Sequence, residues 1–554
     1  MKKSQSGFRW VLVFLVVAVI AGVGWVVKDR FIQEPTFGSD VPTVEPSHET
    51  SALVENVVAT ELVDEATPDQ PPNEPEGTIV VMAADSIPLL DPYRLTGSPL
   101  ERSIAAHLWN SLTYLDDNLS VDPQLAASWR LVNNFTWEFK LRQDVTFHNG
   151  EKFNAEAVRF SVERSQTLPG SLETFATDVD LADVEIVDDF TVRFSTKQPI
   201  ADLPYYASFL EILPPNYYSQ ADADALDTMP VGSGPYQIGI LNQGEQVSLD
   251  AYRAYWQGMP AYAQIVFRQM PSPEDRFSAL SDGTAMLVTD LPPISTENWN
   301  ISGSRLATIE STQRLFVGIN GTGTSPLADV RVRQALNYGV DVSRIVDDLL
   351  AGYGERYGSW VTPPAADPAL KPWPYDPDLA LQLLREAGYT TGFTTTLTTP
   401  IGLYDQDAAV AQAIADQLGE IGITITIEPM EWTLYLRQLL SDQKPPLFLL
   451  ALNSYGNGLE DIRNLTAEFP FNPTSWRNDQ FEVTVKRAIN THEDAARTRR
   501  LNEAQTIAYQ EAPLIWLWRT YDFYGVNNTL DWTPRPDGLV YLYKKIPAGN
   551  EGSQ

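Results

Sequence analysis

Covalent chemistry has few candidate groups in this chain. Its 554 residues include no cysteine and only four histidines, His48, His107, His148 and His492. Thiolate nucleophiles, disulfides and thiolate metal sites are therefore excluded. A Ser-His-Asp triad or a His-rich metal site would have to draw on those four rings. His148 precedes the turn signal Asn149-Gly150, where a hydrogen-bonding core role suits it better than metal ligation. No GxSxG elbow, HExxH helix or P-loop occurs. Carboxylates are the one abundant reactive group, with 72 Asp and Glu, so a two-carboxylate extracellular hydrolase of the glycosidase kind stays open on counting alone. Noncovalent recognition has richer material, because 14 Trp and 23 Tyr leave rings to spare for lining a cleft.

The scaffold that positions these groups is large. A chain of 554 residues exceeds one ordinary hydrophobic core, so two or three domains are expected. The formal net charge of -33 excludes nucleic acid as a partner, since phosphate binding needs a cationic face. Simple solvation of a large surface accounts for that charge better than selection for cationic ligands. Lys2, Lys3 and Arg9 precede an apolar run of 18 residues, Trp10 to Val27, about 27 Å long as a helix and close to a bilayer's apolar thickness. No clean small-x-small cleavage site follows, so residues 1–30 read as an uncleaved signal-anchor, with a cleaved signal as the alternative. The basic flank stays cytoplasmic and the body faces outward. Residues 31–77 carry 11 acids, seven prolines and no Lys or Arg, which predicts a disordered, extended tether. Ile20-Ala21-Gly22 is followed by Val23, so lipid anchoring through a cysteine is excluded.

From Thr78 onward the pattern is α/β. Thr78–Ala83 reads as a buried strand, Asp85–Pro99 as a loop, and Leu108–Leu115 as an apolar helix-to-turn segment. Thr136–Leu141 and Phe190–Ser195 alternate as strands. Asn154 caps a predicted helix to Arg164. Asp329, Asp341 and Asp376 cap three more, the last with Pro377 first and Gly388 just past its end. Thr394–Thr399, a helix from Asp407 to Leu418 closed by Gly419, and Ile423–Glu428 form a predicted βαβ unit. A helix Glu431–Leu440 and a strand Leu447–Leu452 follow. Ligands of open α/β sheets sit beyond the carboxyl ends of strands. That rule selects three loops: Asp85–Pro99, which contains Thr96, Pro400–Asp407, and Asn453–Asp461. The last is polar and rich in exposed backbone, and an ordinary surface turn fits its spacing equally well.

Several blocks, read in order, resemble the oligopeptide/dipeptide/nickel-binding family of extracytoplasmic solute receptors, family 5. They are Pro123 to Trp129, Thr136 to Arg142, Val145-Thr-Phe-His-Asn-Gly150, Phe153 to Val158, Val231-Gly-Ser-Gly-Pro-Tyr236, Ala254-Tyr-Trp-Gln-Gly-Met-Pro260, Phe316 to Asn320, Pro326 to Tyr338, Leu383 to Tyr389 and Ile421 to Ile423. Trp129, Phe147 and Phe153 suit core packing, and Gly232, Gly234 and Pro235 a turn. The resemblance implies a two-lobed, type II periplasmic-binding-protein-like clamp. Lobe I would span 78–310 with a subdomain inserted at about 114–229, lobe II 311–520, and residues 521–547 would return to lobe I before a tail, 548–554. It further implies a monomeric substrate-binding component of an ABC importer, which closes on a peptide-like or other small solute and delivers it to membrane permease subunits. No catalysis, cofactor or metal is implied. Trp360, Tyr404, Trp432 and Tyr455 are the aromatic candidates for the ligand walls, with Thr96, Asn453 and Asn457 as polar contacts. Related receptors hold the ligand's amino terminus with an Asp in the loop after the strand matching Leu447–Leu452. Here the Asp-Pro-Asp pattern is missing, and Glu460 or Asp461 would substitute by a shift of register. A membrane-anchored sensory receptor using the same clamp is a further alternative.

Overall fold

The computed structural model describes residues 74–544, apart from 96, 168–174, 176–178, 295–297, 442, 455, 470–471 and 473. The apolar run 10–27 and nearly all of the acidic tether lie outside those residues. Among the described residues no helix is long and apolar enough to cross a membrane.

The chain enters through β1 (Thr78–Ala83), whose inner residues are buried. The next element departs from expectation. Pro99–Leu108 is a helix, held at its start by a reciprocal capping box: Glu101 N–H donates to Ser98 Oγ, and Glu101 Oε2 accepts from Ser98 N–H. The segment expected to run from helix to turn is instead the exit of that helix and a short hairpin, β2 (Thr113–Leu115) with β3 (Val121–Pro123). Then come β4 (Ala126–Asn133), β5 (Thr136–Leu141), the Asn154-capped helix Ala155–Thr167, β6 (Leu181–Asp188) and β7 (Thr191–Thr196). These strands form an antiparallel sheet in the order β4-β5-β7-β6. Buried Glu138 on β5 bridges Arg130 and Arg193 of its neighbours at 2.7 and 2.9 Å.

The chain then returns through β8 (Tyr236–Asn242), β9 (Gln246–Ala251), β10 (Gln264–Gln269) and the two-residue β11 (Leu287–Val288). Gly232 and Gly234 are there because of close approach: a Cβ at either would lie 1.9 Å from Leu108 O or 2.3 Å from His107 O.

Next is a long strand, β12 (Ser304–Ile319), followed by β13 (Glu355–Arg356), β14 (Phe393–Pro400), β15 (Ile423–Met430), β16 (Leu447–Leu452) and a second long strand, β17 (Leu514–Asn527). The aspartate caps hold as expected. Asp329, Asp341 and Asp376 accept from the N–H groups of Arg331, Arg344 and Leu379 at 2.9, 3.1 and 3.0 Å. The helix expected to stop at Gly419 runs Asp407–Glu420, and the glycine with positive φ that ends it is Gly422, at 87°. β14 pairs in parallel with both β15 and β16, which gives the expected βαβ unit.

Among the described residues these strands make an 11-stranded sheet in the order β15-β14-β16-β12-β17-β11-β1-β10-β9-β8, with β13 also paired to β17. β12 and β17 run antiparallel from Ser304↔Asn527 to Gly318↔Leu514, and their register shifts between Glu310 and Arg314. The core changes at the same place. Ala307, Ile309, Tyr524 and Val526 pack with β1 and the helix Pro99–Leu108. Leu315, Val317, Ile515 and Trp518 pack with β14 and the helix Asp407–Glu420.

Candidate functional site

A cavity of about 360 Å³ opens where the two long strands pass from one core to the other. Gln313 and Leu315 of β12, and Trp518 and Thr520 to Tyr524 of β17, line it along the middle. One wall comes from Ala83, Asp85, the start of the helix Pro99–Leu108 and the segment Thr289–Pro293 after β11. The opposite wall comes from Leu350, Tyr353 and the loop Leu403-Tyr404-Asp405 after β14. β1 pairs in parallel with β11, and β14 with β15 and β16, so these loops lie beyond the carboxyl ends of parallel strands, as such folds place their ligands.

Four aspartates line the cavity. Asp290 sits at φ 55° in the left-handed region, which is uncommon for a non-glycine residue though Asp tolerates it better than most. Its Oδ2 accepts from Ala84 N–H at 2.9 Å and Thr289 Oγ1 at 2.7 Å, while the buried Arg276 guanidinium donates to its main-chain oxygen at 2.6 Å. Asp85 is exposed, but partial desolvation by the neighbouring wall holds its carboxyl above the usual range, with Asp290 and Glu101 adding like-charge repulsion. Burial raises the half-buried Asp522 to about 7, with Asp290 the next contributor and a Ser311 hydroxyl opposing. Asp405, exposed on the far wall, is raised by partial desolvation and by Asp407. The aromatic surface is Tyr353, whose ring meets Phe523 at 4.8 Å and Tyr521 at 5.6 Å, together with Trp518 and Tyr404. Tyr404 is half-buried; its hydroxyl accepts from Ala451 N–H at 3.0 Å, and burial pushes its pKa up to about 12.

The residues singled out from sequence divide between this cavity and elsewhere. Tyr404 lines the cavity directly. Asn453 stands one residue behind it, accepting at 3.0 Å from the side chain of the lining residue Gln313. Trp432 is exposed at the start of the helix Trp432–Leu439 and does not line the cavity. Asn457 caps the helix Gly458–Arg463 and donates to Asp202 across the loop.

Trp360 and Asp461 are sealed inside the protein and do not reach the cavity. The Trp360 indole donates to Asp461 O at 2.7 Å and packs edge-on against Phe316. Asp461 pairs with buried Arg314 at 3.1 Å and accepts from both Thr362 N–H and Thr362 Oγ1 at 2.9 Å. Two buried charges that satisfy each other leave no free acceptor for a solute's amine. Thr96 and Tyr455 lie outside the described residues.

Asp290, Gln313, Tyr353 and Asp522 escaped the sequence reading. The available signal for Asp290 was its place after a short apolar run, Met286-Leu-Val-Thr289.

Two of the described histidines are held by hydrogen bonds to the main chain. His148 Nε2 donates to Gly234 O at 3.0 Å while Nδ1 accepts from Gly232 N–H at 3.2 Å, and burial lowers its pKa to about 4. His107 is buried and lowered to about 4 in the same way, with Nε2 accepting from Leu542 N–H at 3.0 Å. Among the described residues no group of three His, Asp or Glu side chains converges as a metal site.

Comparison with known proteins bears on the family and the fold. The profile of bacterial extracellular solute-binding proteins, family 5 (middle region), matches residues 120–468. The glutathione-binding protein GsiB of Salmonella typhi is 29% identical over 462 residues, covering 79% of this chain and 88% of that protein. The protein of the same name from Escherichia coli K12 is 28% identical over the same length. The solved structures that share the fold include the following two. HbpA2 from Haemophilus parasuis has a TM-score of 0.74 at 23% identity, covering 84% of this chain and 99% of that one. The periplasmic binding protein DppA of Helicobacter pylori, in complex with the peptide STSA, has a TM-score of 0.70 at 22% identity, covering 85% and 99%.

Proposed function

The chain belongs to the bacterial extracellular solute-binding proteins of family 5, and from that premise we propose that it captures a peptide-like solute by closing two lobes on it. The observation that carries this reading is the cavity itself. Its lining is drawn from both sides of the register shift in β12 and β17, so a solute seated there touches two separately packed cores. Contacts made to the second core only when the gap is shut favour the shut form by their own free energy. The shut form is then the shape that ABC permease subunits receive, and the solute leaves chemically unchanged.

In this reading lobe I comprises 78–310 and 521–547, with the insertion at about 114–229, and lobe II comprises 311–520. The change of core at Glu310–Arg314 supports that division. Tyr404 is a wall of the site, Asn453 accepts from the lining Gln313 and so orients its amide, and Thr96 and Tyr455 are proposed contacts. The apolar run 10–27 anchors the body to the outer face of the membrane, the acidic tether holds it off the lipid, and the body is a monomer. Relatives named for glutathione, peptide and Ni(L-His) complexes fit a site for small amide-bearing or chelated solutes.

Native mass spectrometry of the purified protein tests the proposal. A small solute that co-purifies and is released intact on unfolding is the expected result, with a rise in unfolding temperature when it is added back. Turnover of a peptide or glycoside by the protein alone would overturn it.

A further inference from the structure

Taking the cavity as the solute site of the preceding reading, we infer that the solute carries positive charge, and that Asp85, Asp290 and Asp522 on one side and Asp405 on the other select it. The site rests on the cavity and on the family; the charges decide what enters. Among the described residues the lining contains these four aspartates and no lysine or arginine. Of the cations close behind it, Arg519 pairs with Glu310 and Arg535 with Asp537 at 3.0 Å, while Arg276 donates to the main-chain oxygens of Met270, Pro271 and Asp290 and its charge faces Asp290, one cation against four carboxylates. An anionic guest would therefore meet an excess of like charge on both walls. Like-charge juxtaposition of that kind is how a site rejects a wrong partner.

The second observation is aromatic. Tyr353, Tyr404, Tyr521, Phe523 and Trp518 line the same space, and the faces of such rings attract ammonium and guanidinium groups. A bare divalent ion fits poorly, because the carboxylates do not converge into a ligand set among the described residues. Acids spread over two walls suit an organic cation with charges held apart, such as a lysine- or arginine-bearing peptide or a polyamine. The cavity, at about 360 Å³, is within the range of sites for small organic ligands. Desolvation and repulsion from Asp290 hold Asp85 and Asp522 above the usual carboxylate range, and an incoming cation relieves that repulsion. Glutathione, with two carboxylates against one amine, has the wrong charge for this lining, so the site diverges from the relatives named for it.

Isothermal titration of the full-length protein with Lys-Lys, spermidine, Ala-Ala, Glu-Glu and glutathione tests the inference. Lys-Lys or spermidine should bind about tenfold or more tightly than Ala-Ala, with affinity falling as salt rises, and Glu-Glu and glutathione should bind least. Asp522→Asn should weaken the cationic probe about tenfold. Asp405→Asn, at a solvent-contacting loop outside the core, should do the same if Asp522→Asn fails to fold. Ala-Ala or glutathione binding as tightly as the cations, or an unchanged cation affinity in a folded variant, overturns the charge inference and leaves the capture reading standing. Failure of every probe, with no co-purified solute, brings down both.

Discussion

The Asp522 carboxyl gives the most direct physical test, because its charge state is tied to folding as well as to binding. Its pKa rises from 3.8 to about 7 in the folded protein, first through burial and then through Asp290, with Asp537 adding repulsion and the Ser311 and Tyr524 hydroxyls opposing. The sign follows from proton counts. Between pH 4 and 7 the folded state keeps a proton that the unfolded state gives up, so stability falls as pH rises and the loss is complete above about pH 7. From pH 5 to the folded pKa is about two units, which at ~1.36 kcal/mol per unit sets a ceiling of about 2.7 kcal/mol. Water in the open cavity screens part of this, leaving about 1.4 kcal/mol. Asp522→Asn removes the ionisation and keeps an oxygen to accept from Ser311. The variant should therefore gain about 1.4 kcal/mol on the wild type between pH 5 and pH 8, read from urea unfolding followed by tryptophan fluorescence. Parallel pH profiles for the two proteins would refute the placement of a buried, like-charged carboxyl at this cleft.

The other structural relationships are open to equally direct checks. Asp461→Asn strands the buried Arg314 guanidinium and should cost about 3–5 kcal/mol in denaturant unfolding, whereas Arg314→Met with Asp461→Leu should cost far less, as apolar replacement of a buried pair does. Gly232→Ala drives a Cβ into Leu108 O, so the unfolding midpoint should drop steeply while the Gly150→Ala control, whose Cβ meets nothing within 4 Å, loses only the cost of its positive φ. Tyr206 donates to Glu460 at 2.8 Å and Asn457 donates to Asp202, contacts that tie the segment between β7 and β8 to the helix Gly458–Arg463. Tyr206→Phe should raise the solute dissociation rate severalfold in stopped-flow measurements, about 0.5–1.5 kcal/mol for one hydrogen bond, if those contacts hold the shut form. An unchanged rate would assign them to the resting shape instead.

Local punctuation was the legible part of this chain. Asp329, Asp341 and Asp376 announce helices because a carboxylate that accepts from its own N2 or N3 amide needs nothing from elsewhere in the fold. Leu447–Leu452 was readable to the residue because a buried central strand is apolar on both faces. The Ser98-Pro-Leu-Glu101 capping box obeys the same local rule and was there to be read; the run of loop-like residues before it hid the helix. Partnerships across the chain were not legible. Asp461 looked like an open carboxylate because its counter-ion, Arg314, comes from a different strand far earlier in the sequence. Trp360 looked like a ligand wall for the same reason: the burial that removes it from solvent is supplied by Phe316 and Trp516, each distant in the chain.

The cleft itself did leave a trace in sequence, on the two crossing strands. β12 reads Leu306-Ala-Thr-Ile309, then Glu310-Ser-Thr-Gln-Arg314, then Leu315-Phe-Val317. β17 reads Leu514-Ile-Trp-Leu-Trp518, then Arg519-Thr-Tyr-Asp522, then Phe523-Tyr524. Each is an apolar strand with a polar break in the middle, and the breaks lie opposite one another, with Glu310 facing Tyr521 and Arg314 facing Arg519. A strand buried in one continuous core has no use for such a break, since unpaired polar groups there are costly. Where these strands leave one core for the other, their polar side chains either face the cavity or are buried with partners, Thr312 donating to Ser454 O and Arg314 pairing with Asp461. Gln313, Thr520 and Asp522 of these breaks line the cavity. Replacing the interruption on β12 with apolar residues (Ser311→Val with Gln313→Leu) should therefore favour collapse of the gap. The expected outcome is a smaller radius of gyration in solution scattering without solute and weaker solute binding. A variant with unchanged dimensions and affinity would show that the polar break does not keep the gap open.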